Sequence, residues 1–181
     1  ETAVERILEE CTRTGARVLI IDSIQTMSVG DVEAAPGAVT QLRESTARLV
    51  RHAKAAGTSV LLIGHVTREG VIAGPRVLEH MVDTVLYFES DSGSRFRVIR
   101  AVKNRFGAVN EIGVFALDEQ GLREVRNPSA IFLSRGTEPV PGSVVTVARE
   151  GTRQMLIEVQ SLVDPSQAAN PRRVAVGFEG N

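Results

Sequence analysis

The chain has 181 residues, 43% of them hydrophobic, with 21 Lys plus Arg against 22 Asp plus Glu and a formal charge of −1. A chain of this length buries roughly 70% of its unfolded surface, which excludes a disordered protein, and one Cys excludes an internal disulfide or a Cys-rich zinc site. The charge balance excludes a bulk polycation, so any nucleic-acid contact has to come from a local basic patch.

No run approaches the roughly 18 to 20 apolar residues of a membrane helix, and residues 1–10 are acidic and amphipathic rather than signal-like. No membrane partner is expected, and the lone Cys suits a reducing cytoplasm. The chain opens without Met, directly in a helical pattern, and is expected to be a piece of a longer protein.

Thr2 and Glu5 stand at capping-box spacing, and Val4, Ile7, Leu8 and Cys11 recur at helical intervals up to Gly15, which predicts a helix over residues 3–14. Residues 17–22 (RVLIID) are a short apolar run of the kind buried on both faces of a parallel sheet, with Asp22 as its polar end. Residues 28–37 (SVGDVEAAPG) are aperiodic and read as a loop; Val39, Leu42, Thr46, Leu49, Val50 and Ala53 then share a helix face that Gly57 closes. Residues 58–63 (TSVLLI) form a second buried strand with Gly64 and His65 at its carboxyl end. Strand, helix and strand of these lengths make a βαβ unit, which crosses over right-handed in nearly all cases.

A second glycine-bearing loop, residues 67–75, leads to a short helix at 77–81 and a strand at 84–88. Strands at 96–103 and 112–117 follow, joined by turns at 91–94 and 119–121, so the pattern changes from α/β to β. Asn127-Pro128 marks a boundary between a domain of residues 1–126 and the opening of a second at 127–181. In the latter, 143–148 and 154–163 are strand candidates, Asn170-Pro171 precedes a last run at 173–178, and about 50 residues are too few for a comfortable core.

A carboxylate at the carboxyl end of a buried parallel strand lies where ligands bind in open α/β sheets. Four hydrophobic residues followed by Asp are also what nucleotide triphosphatases use to hold Mg²⁺, usually through water, and Asp22 ends such a run. An Asp that merely caps the next turn has the same pattern, so both roles stay open. His65 occupies the equivalent end of the neighbouring strand, where a neutral imidazole donates to a γ-phosphate or orients water; the same position suits a loop hydrogen-bond partner.

Residues 95–105 (RFRVIRAVKNR) hold Arg95, Arg97, Arg100, Lys103 and Arg105 without an acid, a local charge of +5. A solvated edge strand accounts for Arg95 and Arg97. It accounts less well for the residues at 103–107 (KNRFG), where cations at i, i+2 lie on one side of an extended segment and Gly107 permits a turn that presents both to a phosphate. The loops after Asp22 and His65 carry Asp31, Glu33, Arg68, Glu69 and Arg76, a mixture that on charge alone reads as solvent-facing. Loops on that edge also suit a nucleic-acid channel. With 4% aromatic residues, DNA contacts would be chiefly to backbone phosphates.

Taken together, VLIIDSIQT (18–26), GHVTREGVIAGPRVLEHMVDTVLYFE (64–89), KNRFG (103–107) and PGSVVTVAREGTRQMLIEVQSLV (141–163) resemble the RadA (Sms) family of bacterial DNA repair proteins over nearly the whole chain. KNRFG is the most specific of these. The resemblance implies an α/β fold, the C-terminal part of a RecA-like P-loop ATPase core with a mostly parallel sheet, followed by the start of a Lon-protease-like α+β domain. It implies a DNA-stimulated ATP hydrolase that drives branch migration of recombination intermediates as a hexameric ring in the cytoplasm. ATP and Mg²⁺ are the implied cofactors; single-stranded and branched DNA and a recombinase filament are the implied partners. By the same resemblance Asp22 matches the Walker B aspartate, Ser23 its neighbour at the nucleotide, and His65 the phosphate sensor. Lys103 and Arg105 match cations that reach across a subunit interface to the neighbour's nucleotide, and the loops 28–37 and 67–75, with Arg68 and Arg76, match those that face DNA.

No G-x-x-x-x-G-K-[ST] occurs, so the phosphate cradle is expected upstream of Glu1. The catalytic glutamate and a four-Cys finger, the expected holder of Zn, belong there too. The chain by itself is then expected to be inactive, and no Ser-Lys peptidase dyad is present. A DnaB-like replicative helicase is the alternative enzyme; a nucleotide-gated DNA scaffold without essential hydrolysis is the alternative of another class.

Overall fold

Helix α1 (Val4–Thr14) and helix α2 (Val39–Ala56) each end on a glycine in the left-handed region, Gly15 at φ 63° and Gly57 at φ 68°. That conformation costs a residue with a Cβ roughly 1–2 kcal/mol, which is why the two glycines stop the helices. The computed structural model describes residues 1–65, 75–90, 94–133, 140–165 and 174–177. The expected Thr2–Glu5 capping box does not form. Ala3 is the N-cap, Glu1 accepts from the N–H groups of Thr2 and Ala3, and Glu5 is drawn away to the Gly30 N–H and to Arg48.

Strands β1 (Val18–Asp22) and β2 (Ser59–Ile63) pair in parallel, with Asp22 opposite Ile63. Alternate residues Leu19, Ile21, Val60 and Leu62 face a core that contains Val4 from α1, Leu42 and Leu49 from α2, and Ile24, Met27 and Val29 from the segment after β1. Burial on both faces, expected from the continuous apolar runs, is not found. Ile20 is 60% and Leu61 51% exposed, because α1 and α2 contribute to the core on one side only.

The short helix α3 (Pro75–Glu79) lies two residues earlier than expected and anchors Leu78 in the same core. Of the loop at 67–75 all but its last residue lies outside the described residues, Arg68 included, and of Arg76 only the backbone is described. Strands β3 (Thr84–Glu89), β4 (Phe96–Asn104), β5 (Ile112–Asp118) and β6 (Gly121–Glu124) follow as an antiparallel sheet in chain order. Among the strands of the described residues, parallel pairing is confined to β1 and β2, and an isolated parallel bridge joins Ala3 to Ser28. Strand β6, which its four residues make too short to read as a period, pairs Leu122 with Leu117 across the turn at 119–120.

The chain divides into two compact units, residues 1–124 and 125–181. The second contains the one-turn helix α4 (Ser129–Phe132) and a hairpin of β7 (Ser143–Glu150) and β8 (Arg153–Gln160) in continuous register. The Ser129 hydroxyl accepts the Leu156 N–H at 3.0 Å and ties α4 to the hairpin. Of the last run at 173–178, residues 174–177 are described and form no strand. No helix of the described residues is long and apolar enough to cross a membrane.

Candidate functional site

Asp22 ends β1 exposed, Ser23 behind it is buried, and the peptide between them is cis. The Ser23 carbonyl accepts both the N–H and the hydroxyl of Thr26, closing a 3₁₀ turn (Ile24–Thr26) that drives Ile24 into the core. The turn is therefore capped by a backbone carbonyl, and no described residue bonds the Asp22 carboxylate. His65, also exposed, lies two residues past Ile63, the partner of Asp22 in the parallel ladder. Gln25 joins the two strand ends: its Nε2 donates to the His65 carbonyl at 3.1 Å, while its Oε1 is buried with no partner among the described residues. Gln25 is a residue the sequence reading passed over, and an amide three positions after the strand-end Asp is the only signal that pointed to it.

The segment at 103–107 resolves into parts with separate tasks. Lys103 is half-buried, and its ammonium donates at 2.6 Å to the carbonyl of Glu79, the last residue of α3. The Glu79 carboxylate in turn accepts the Tyr87 hydroxyl at 2.9 Å. Asn104 builds the turn, accepting the Phe106 N–H through Oδ1 and donating through Nδ2 to the Ala108 carbonyl. A Cβ on Gly107 would lie 2.9 Å from that Nδ2, so the glycine makes room for the amide. Arg105 projects outward with its side chain 66% exposed; its N–H donates to the Asp83 carbonyl at 3.0 Å and its Nη1 to Asp83 Oδ1 at 3.1 Å. The two cations that the i, i+2 spacing places on one side thus have different surroundings, one inward and one toward solvent. Phe106 at the tip is 79% exposed.

The rest of the basic run is not a free patch. Strand β4 lies between β3 and β5, so the edge-strand explanation for its arginines does not hold. Arg97 donates to the carbonyls of Ser94 and Phe96, Arg100 pairs across the sheet with Glu89 at 3.2 Å, and Arg95 stacks over Phe96 at 5.1 Å.

The loop at 28–37 is held from within. Gln41, fully buried on α2, accepts the Val29 N–H and donates to the carbonyls of Val29, Val32 and Ala34 at 3.0–3.2 Å. Two helical turns later Arg48 bonds Asp31, Glu5 and Glu44. The hydrogen bonds from Arg48 hold the Asp31 carboxyl below the usual carboxylate range. A glutamine on the same face as Leu42 and Leu49 is the sequence signal that was available for this clamp.

No protein-family model matches the chain. Whole relatives do. The chain is 60% identical to the DNA repair protein RadA of Pseudomonas aeruginosa, 55% to that of Escherichia coli and 50% to that of Bacillus subtilis, in each case over 100% of this chain. It spans 39–40% of the length of these relatives. Among solved structures, the crystal structure of the RadB recombinase matches with a TM-score of 0.50 at 18% identity, over 68% of this chain and 59% of that one. At such low identity this likeness speaks for the fold alone, and the fold is the RecA-like α/β core expected from the sequence. Over its whole length, then, the chain is similar at 50–60% identity to a segment of the DNA repair protein RadA.

Proposed function

We propose that the protein carrying this chain hydrolyses ATP to move DNA branches in recombinational repair, working in the cytoplasm as a ring, hexameric in the family pattern, on single-stranded and branched DNA beside a recombinase filament. The observation that carries the reading is the pair of strand ends: an exposed Asp22 on β1 whose carboxylate has no partner among the described residues, and an exposed His65 whose backbone carbonyl Gln25 holds. Whole-chain identity to RadA proteins supports the setting, and the hairpin of β7 and β8 is read as the first part of a Lon-like domain.

An exposed carboxylate without a protein partner fits a hydrated Mg²⁺, which Asp22 would hold through water beside Ser23. When bound there, the ion would supply positive charge to neutralise the phosphate oxygens. His65 presents its imidazole toward the γ-phosphate or the attacking water. Arg105 leans from one protomer to the nucleotide of the next and meets the charge that develops on the transferred phosphoryl group, a role worth about 10³ to 10⁵ in turnover. Lys103 holds the turn from which Arg105 projects, with two N–H donors left for phosphate oxygens. The clamped loop at 28–37 and the segment holding Arg68 and Arg76 face DNA, chiefly its phosphates.

The test uses the full-length protein. Asp22→Asn and Arg105→Ala should each lower DNA-stimulated ATP turnover by at least about tenfold while the melting temperature stays close to wild type. Wild-type turnover in both variants would remove the proposed site.

A further inference from the structure

Arg105 is where the proposed chemistry meets the surface, and an exposed arginine is poorly suited to wait there alone. Its long side chain samples many rotamers, and a group that must meet a phosphoryl oxygen within a few tenths of an ångström loses most of its effect when it wanders. We infer that Asp83 is the positioning residue of Arg105, holding one end of the guanidinium so that its opposite edge stays open to a phosphate. The inference rests on the proposed role of Arg105.

Two contacts define the arrangement. The Asp83 carbonyl accepts the Arg105 N–H at 3.0 Å, one step beyond the Thr84–Asn104 pair that ends the ladder of β3 and β4. The two backbones are therefore locked together before any side chain is considered. The Asp83 carboxylate then accepts Nη1 at 3.1 Å. Nη1 is the only guanidinium nitrogen so engaged; among the described residues Nε and Nη2 have no partner. These two nitrogens form the side-on edge that makes a two-pronged contact with phosphate or carboxylate oxygens.

The pair is ill placed to serve folding. The side chains of Arg105 and Asp83 are 66% and 42% exposed, and an ion pair in such surroundings contributes little to stability. Nor does the geometry withhold the arginine from a ligand, since a carboxylate that blocked it would span the Nε–Nη2 edge. Asp83 also sits between α3, whose last carbonyl takes Lys103, and β3, so one short segment sets both cations of the turn.

The experiment compares Asp83→Ala, Asp83→Asn, Arg105→Ala and the double variant Asp83→Ala/Arg105→Ala in the full-length protein. It follows kcat and KM for DNA-stimulated ATP hydrolysis together with the melting temperature. Asp83→Ala is expected to lower kcat about ten- to a hundredfold, the order of loss for a misplaced catalytic group, with KM for ATP and the melting temperature little changed. Asp83→Asn keeps an acceptor oxygen and should recover most of the turnover. The double variant should be no slower than Arg105→Ala, because Asp83 acts through the arginine. Wild-type kcat in Asp83→Ala beside a slow Arg105→Ala would overturn the inference and leave the proposed function standing. Losses that add in the double variant, or a kcat that rises in Asp83→Ala, would overturn it as well. Unchanged turnover in Arg105→Ala strikes at the finger itself and so at both. If Asp83→Ala does not fold, Asp83→Ser, too short to reach Nη1, makes the same comparison.

Discussion

Lys103 and Arg105 are two positions apart and answer to different forces. The lysine fills a hydrogen-bond vacancy that every helix leaves at its end, the unpaired carbonyl of its last turn, and does so half-buried. Removing it strands the Glu79 carbonyl, at a cost on the order of 1 kcal/mol. Arg105 gives the fold only an exposed ion pair. Thermal denaturation of the chain should therefore rank the variants in the order opposite to charge exposure: Lys103→Ala lowers the melting temperature clearly and Arg105→Ala hardly at all. Gly107→Ala belongs with the lysine, since its new Cβ displaces the Asn104 amide from the Ala108 carbonyl. A more destabilising Arg105→Ala than Lys103→Ala would mean that the arginine, not the lysine, supports the fold at this turn.

At the scale of elements, the loop at 28–37 shows how a segment without periodicity acquires one conformation. Its polar backbone is satisfied by the Gln41 amide, and its tip is tied by Asp31 to Arg48. Asp31 has its folded pKa lowered by those hydrogen bonds, so its contribution to the loop is complete above the unfolded carboxylate value of about 4 and is lost as pH falls through the lower, folded one. Amide exchange over residues 28–34, corrected for intrinsic rates, should show steady protection from neutrality down to about pH 4 and a decline below it. Glu5 and Glu44 face the same guanidinium, so Asp31→Asn is the arm that isolates Asp31. It should lose protection already at pH 7; protection equal to wild type would exclude Asp31 as the tie.

The same loop explains what the sequence could convey. Helices α1 and α2 and strands β1 to β5 rest on local signals, namely apolar period and terminal glycines, and these are legible one residue after another. Asp22 and His65 stand out because a polar side chain at the end of an apolar strand has no packing reason to be there. Gln25, Gln41 and Asp83 do not stand out, because their partners lie 40, 12 and 22 positions away. The failed capping box has the same origin: Glu5 has the right spacing from Thr2, yet Arg48, 43 positions on, offers it a charged partner.

On the scale of the whole molecule, the parallel pair is the feature that a chain of these 181 residues leaves unresolved. The apolar runs of β1 and β2 carry a second face, Val18, Ile20, Leu61 and Ile63, which the helices of the described residues do not cover. Parallel strands with such runs are ordinarily covered on both sides, and an open apolar patch beside the polar tip at Asp22 is a surface that seeks a cover. The chain on its own should therefore bind a hydrophobic dye and sediment as species that grow with concentration. The second unit has exposed Val144, Val145 and Val147 on β7, so association alone does not locate the contact. Ile20→Thr with Leu61→Thr does: both residues point away from the core, β propensity is kept, and helical circular dichroism should be unchanged. If the double variant binds as much dye and associates as strongly as the parent chain, while Val145→Thr with Val147→Thr abolishes both, the sticky surface is the hairpin and the open face of β1 and β2 is not.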